Sequence, residues 1–105
     1  MSVTIEVDTV LRCAYIRLSN EDVVRTIEVN DCVQVDLDRF GVAVGIEVLD
    51  DHAPLPFEQL TKFHVRSEAI ELLRLIRPDV GTFITFTSGH DGFSDIHGGT
   101  SLTLV

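Results

Sequence analysis

V-Q-V-D-L-D-R-F-G-V-A-V-G-I-E-V-L-D, residues 33–50, is the stretch from which the fold is read. Val33, Val35 and Leu37 alternate with Gln34 and Asp36. After the break Asp38-Arg39-Phe40-Gly41, apolar residues recur at Val42, Val44, Ile46 and Val48. Strand side chains point to opposite faces with period two, so each half reads as a strand with one oily and one polar face. The break is too short for a helical crossover and fits a hairpin, which makes the pair antiparallel. A slip of one residue would turn Asp36 and Glu47 onto the oily face, so the register is strongly specified.

Towards the N-terminus the same pattern runs through residues 2–7, 11–18 and 23–29, joined by polar turns that include Ser19-Asn20-Glu21-Asp22 and Asn30-Asp31-Cys32. The reading is an antiparallel meander in chain order, with Ala14, Ile27, Val35 and Val44 in one row on the buried side. Arg25 intrudes on that face and belongs near an edge, where its head reaches water. The opposite face carries Tyr15, Thr26, Asp36 and Ala43 in one row and Cys13, Glu28, Gln34 and Gly45 in the next, with Glu47 beyond and Arg17 on the other side. Towards the C-terminus Pro54 and Pro56 end the sheet region. Residues 57–63 make a short helix, and 67–77 make a longer one with Ser67 as N-cap and Pro78 as its stop. Its stripe Ala69, Ile70, Leu72, Leu73 and Ile76 is the cover that a one-sided sheet requires.

Residues 82–88 alternate as a sixth strand, 89–100 form a glycine-rich loop, and 101–105 form a terminal strand. The two strands pair with each other or with a second chain. The expectation is an α+β fold: an antiparallel β-meander of about five strands, covered on one face by two helices, with a C-terminal hairpin or strand pair. One domain spans 1–105, divided into a meander (2–49), a helical hairpin (57–77) and a C-terminal β segment (80–105).

Composition narrows the function classes. The chain has 105 residues, 8 basic and 17 acidic, for a net charge of −9. A surface this negative repels phosphate backbones and anionic lipid, and suits a basic protein partner. No apolar run approaches the ~18 residues of a membrane span, and the start lacks the pattern of a secretory signal, so a cytoplasmic protein is expected. Cys13 and Cys32 form neither a CxxC nor a zinc spacing and read as reduced thiols.

The ordered set Asp8, Tyr15-Ile16-Arg17-Leu18, Asp31, Asp36, Gly41 and Val44-Gly45-Ile46-Glu47 resembles the small bacterial family called domain of unknown function 2283, over Ile5–Asp50. The chain departs from that pattern at Thr9 and Arg12, where the family carries proline and a second aspartate. It departs again at Cys32, where the family carries glycine in a turn that wants a positive φ. The resemblance implies no reaction. Members are often encoded beside small toxin genes, which implies an antitoxin-like role for some of them.

Three sets of residues carry candidate chemistry. Tyr15, Arg17, Glu28, Asp36 and Glu47 form a candidate ligand site on the polar sheet face, where the carboxylates would hold a hard cation or share a proton. The competing reading is a solvated face with Tyr15 and Arg17 paired to acids across strands and Gly45 serving close packing. His90, Asp91, Asp95 and His97 match no compact metal motif, so no metal and no cofactor is assigned. Residues 60–73 share the spacing of a helix-turn-helix, with Arg66 and Arg74 as candidate DNA contacts, but Glu68 and Glu71 stand where base-reading side chains would. The favoured function is a non-enzymatic protein-interaction module that forms a homodimer. The alternatives are an antitoxin-like regulator that binds a basic toxin and DNA, and a small-ligand or metal-binding domain.

Overall fold

The computed structural model describes residues 2–8, 10–76, 79–87, 93–96 and 99–104. In chain order these form β1 (Val3–Asp8), β2 (Cys13–Arg17), β3 (Arg25–Asn30), β4 (Val33–Leu37) and β5 (Ala43–Val48). Helices α1 (Phe57–Lys62), α2 (Ser67–Leu73) and α3 (Val80–Thr87) follow, then β6 (Phe93–Ile96) and β7 (Gly99–Leu104). The strands make one antiparallel sheet in the order β3-β4-β5-β2-β1-β7-β6. The class is α+β, as the alternation predicts, with a C-terminal strand in place.

The neighbour order departs from a simple meander, because β2 pairs with β5 and not with β3. The cause lies in residues 18–24, which the sequence reading treats as a short turn flanked by strand. The Leu18 and Ser19 N–H groups both donate to the Val44 carbonyl (2.9 and 3.2 Å), and the Val24 N–H donates to the Leu37 carbonyl at 2.8 Å. Seven residues reach about 23–25 Å when extended, enough to pass two strands spaced ~4.8 Å apart. The link therefore carries the chain past β5 and β4 and leaves β3 at one edge of the sheet, with β6 at the other.

The core row follows this order. Leu102, Ile5, Ile16, Ile46, Val35 and Ile27 lie opposite one another across six strands, in place of the row through Ala14, Ile27, Val35 and Val44. All are buried except Ile27 on the edge strand, which is half-buried. Arg25 also lies on that edge strand and is exposed, as its charge requires. A β-bulge adds the second change: Asp36 lies opposite Gly45, but Leu37 lies opposite Ala43, so Ala43 joins the core cluster, while Val44, expected in that row, is buried outside the cluster. Leu60, Ala69, Ile70, Leu73, Ile76, Val80 and Ile84 from the helical region close the oily side.

Residues 82–87, expected as a strand, lie on helix α3. Asp79 explains the difference, because its carboxylate accepts the Thr82 N–H at 2.7 Å and the Thr82 hydroxyl at 3.1 Å, an N-cap arrangement. Val80 and Ile84, four residues apart, then bury on one helical face. Two smaller corrections concern α2. Its N-cap position is Arg66, which makes no side-chain capping bond, with Ser67 as its first helical residue, and it ends at Leu73. Arg77 and Pro78, expected as its end and stop, lie outside the described residues. Strand β7 pairs within the chain, with β1 on one side and β6 on the other. Among the described residues no helix is long and apolar enough to cross a membrane.

Candidate functional site

The polar face is built by pairing. Tyr15 lies opposite Glu47, Glu47 opposite Gln34, and Gln34 opposite Glu28; in the next row come Arg17, Gly45, Asp36 and Thr26. The sequence rows are thereby re-sorted. Tyr15 shares its row with Glu47 and Glu28, and Arg17 shares its row with Asp36. The two rows are joined diagonally, because the Tyr15 hydroxyl donates to Asp36 Oδ2 at 3.0 Å. The Thr26 hydroxyl donates to Asp36 Oδ1 at 2.6 Å.

Gly45 makes this diagonal possible. A Cβ on Gly45 would overlap the Tyr15 hydroxyl oxygen and Cζ, so the phenol lies over bare backbone. Between ring and strand, Asp36 is buried to 6% exposure even though it lies on the open face. On a solvated face Asp36 would stand in water, and the covering tyrosine is what changes that. The Arg17 guanidinium stacks over the same ring, 5.3 Å from its centroid. Glu28 is exposed, two rungs from Glu47.

The titration of these groups follows from the packing. Burial, the hydrogen bond to Asp36 and the Asp36 charge push Tyr15 up to about 12, against the opposing pull of Arg17. Burial and the neighbouring Asp36 carboxylate also raise Glu47 above its usual range. Each Asp36 oxygen already accepts a hydroxyl from within the sheet. The arrangement therefore works first as a polar clasp that ties β2 to β4 across Gly45 of β5, and β3 to β4 through Thr26.

A second polar cluster, absent from the sequence reading, joins the β1–β2 turn to α3. Asp8 Oδ1 accepts the Val10 and Leu11 N–H groups at 2.9 Å each. Arg12 adopts φ 60°. Its Nε lies 3.6 Å from Asp51 Oδ1, and its carbonyl accepts the Asp51 N–H at 3.0 Å. The Asp51 carbonyl in turn accepts the Gly81 N–H at 2.7 Å. His52 stands between two carboxylates, with Nε2 3.7 Å from Asp51 Oδ1 and Nδ1 3.5 Å from Asp79 Oδ1. Burial alone would raise the Asp79 carboxyl, but the Thr82 bonds and His52 outweigh it and hold it below the usual range. Asp51 Oδ1 is buried and accepts no hydrogen bond. The imidazole nitrogens diverge towards separate acids, and among the described residues no group of three or more His, Cys, Asp or Glu side chains is placed to hold a metal ion. Asp51 and Asp79 are 28 positions apart, so no spacing rule could have linked them; the only local signal was the Asp79–Thr82 cap.

The two candidate DNA-contacting arginines are separated by the fold. Arg66, just before α2, lines a crevice of about 240 Å³ with Glu21 and Asp38. Arg74, just after it, stacks 5.3 Å from the Phe57 ring in a groove shared with Glu58 and Lys62. Between them α2 buries Ala69, Ile70 and Leu73 against the sheet. His90, Asp91 and His97 lie outside the described residues, and Asp95 is a position on β6. Cys13 and Cys32 are free thiols on either side of β5. Cys32 is not among the positive-φ positions, and its N–H donates to the Asn30 side chain at 2.8 Å. The turn thus tolerates the missing glycine.

Comparison with the curated proteins and with the solved structures finds no match. The five contiguous strands β3-β4-β5-β2-β1, with Asp8 at the turn, Tyr15-Ile16-Arg17 on β2 and Gly45 beneath the tyrosine, are a different matter: over residues 5–50 the chain matches the family model described as Protein of unknown function (DUF2283).

Proposed function

We propose that the chain is a non-enzymatic protein-interaction module and that its contact element is the open edge at β3. One observation carries this reading: the exposed Val23 and Val24 (49% and 66%) lead directly into a strand whose backbone is paired on one side only. An edge strand with flanking apolar residues is a template for a further strand, and proteins that do not use such an edge commonly cover it or keep it short. The polar clasp supports the same reading, since the hydroxyls of Tyr15 and Thr26 engage the Asp36 oxygens and anchor the strands behind the edge.

The test is site-specific photocrosslinking in an extract of the native host. A crosslinker at Val24 is expected to capture one protein in stoichiometric yield, identified by mass spectrometry and competed away by unlabelled chain. A crosslinker at Glu58, on α1, is expected to capture none. Equal capture from both positions, or elution of the native chain as a free monomer, overturns the proposal.

A further inference from the structure

Strand β3 presents different chemistry on its two faces. Towards the helix-covered side Ile27 and Val29 are half-buried, and towards the open side Thr26 and Glu28 are exposed. A register shift between Glu28 and Asn30 limits regular pairing to the first part of the strand. Where the strand begins, a notch of about 310 Å³ is lined by Glu21, Asp22, Val24, Asp38 and Arg39. Three carboxylates against one guanidinium make it negative, and Glu28 and Asp31 carry the same sign at the far end, with Arg25 the one cation between them, on the Ile27 side of the strand.

An added strand must send its side chains alternately to the two faces. Next to Ile27 an apolar side chain prolongs the core row, and next to Glu28 a cation is matched. We infer that the partner segment is an extended chain alternating apolar and basic residues, paired along 24–28, with one lysine or arginine seated in the notch of Glu21, Asp22 and Asp38. This rests on the interaction-module reading and gives its partner a chemistry. A second copy of the chain fits poorly. Two β3 edges meeting antiparallel would set Glu21 and Asp22 of one against Glu28 and Asp31 of the other, between chains of net charge −9.

The experiment uses the full chain, with amide exchange followed by NMR, and two short peptides that alternate valine with lysine or valine with glutamate. The lysine peptide is expected to slow exchange at 24–28 and to weaken about tenfold between about 0.02 and 0.3 M salt. The glutamate peptide is expected to bind at least about tenfold more weakly. The combined variant Glu21→Lys, Asp22→Lys, Glu28→Lys is expected to reverse that preference. Equal binding of both peptides, or protection confined to other strands, overturns the inference. So does a dimer by light scattering with 24–28 protected in the absence of peptide, which would give the edge to a second copy. If neither peptide binds while Val24 still crosslinks an identified protein, the partner chemistry is wrong and the module reading stands. If both measurements are negative, both readings fall.

Discussion

Gly45 and Tyr15 act as one unit, and each substitution reports on the other. Gly45→Ala places a methyl where the phenol now lies, so the ring must swing out and release Asp36. The expected cost is about 1–3 kcal/mol, that of a buried carboxylate losing a hydroxyl donor. In a Tyr15→Ala background the same change is expected to fall within about 0.5 kcal/mol of neutral, since the clash is gone. Denaturant unfolding of the four proteins checks this. Tyr15 is also the single tyrosine of the chain, so phenolate absorbance reads it alone. Its folded value of about 12 lies above the ordinary 10.0, so the folded state holds the proton longer than the unfolded state does. Stability is therefore complete below pH 10 and falls as pH rises from 10 towards 12. Asp36→Asn is expected to move the phenolate midpoint down towards its ordinary value, and an unmoved midpoint would mean that burial alone sets it.

At the scale of elements, β2, β4 and β5 were legible because Ala14, Ile16, Val33, Val35, Ile46 and Val48 obey a period that any buried strand must obey. The order of those strands was not legible. It depends on where seven linking residues run, and Leu18 and Ser19 settle that by bonding a carbonyl 25 and more positions away. The Tyr15–Asp36 bond was legible in outline, as a tyrosine paired to an acid across strands with Gly45 serving close packing, but with β3 placed beside β2 the sequence could not set Gly45 beneath that ring. Helix α3 was hidden by its composition, because Thr82-Phe83-Ile84-Thr85-Phe86-Thr87 suits a strand in isolation. Asp79 tips that balance. Asp79→Ala is expected to cost about 1 kcal/mol by removing the cap, measurable as a lower thermal midpoint. Because the Asp79 carboxyl is held below its ordinary 3.8, its contribution is present above that value and is lost as pH falls through the folded one. The variant should therefore be less acid-sensitive than the parent. A variant that melts at the parent's temperature would mean that α3 is held by packing alone.

Over the whole molecule, the half of the chain beyond residue 50 covers and completes what the first half builds. Strand β7 pairs with the full length of β1, from Val3 opposite Leu104 to Asp8 opposite Gly99. Deleting residues 99–105 would strip that ladder and uncover Val3, Ile5 and Val7, which are buried throughout. The truncated chain is expected to lose its cooperative thermal transition and to aggregate, as a long apolar edge predicts. A monomer that melts as the parent does would show β1 to be stable unpaired.

The same pairing fixes where the chain can be held. Val3 and Leu104 face each other on neighbouring strands, and four strand spacings, ~19 Å, separate β1 from β3. A fluorophore, bead or fusion domain joined beyond either end thus leaves by one shared doorway. Ser2 shares a hollow with Ser19 and Asn20, so that doorway opens at the end of the sheet where the 18–24 link runs, and a chain tethered there would offer the far end of β3, towards Asn30, to whatever flows past.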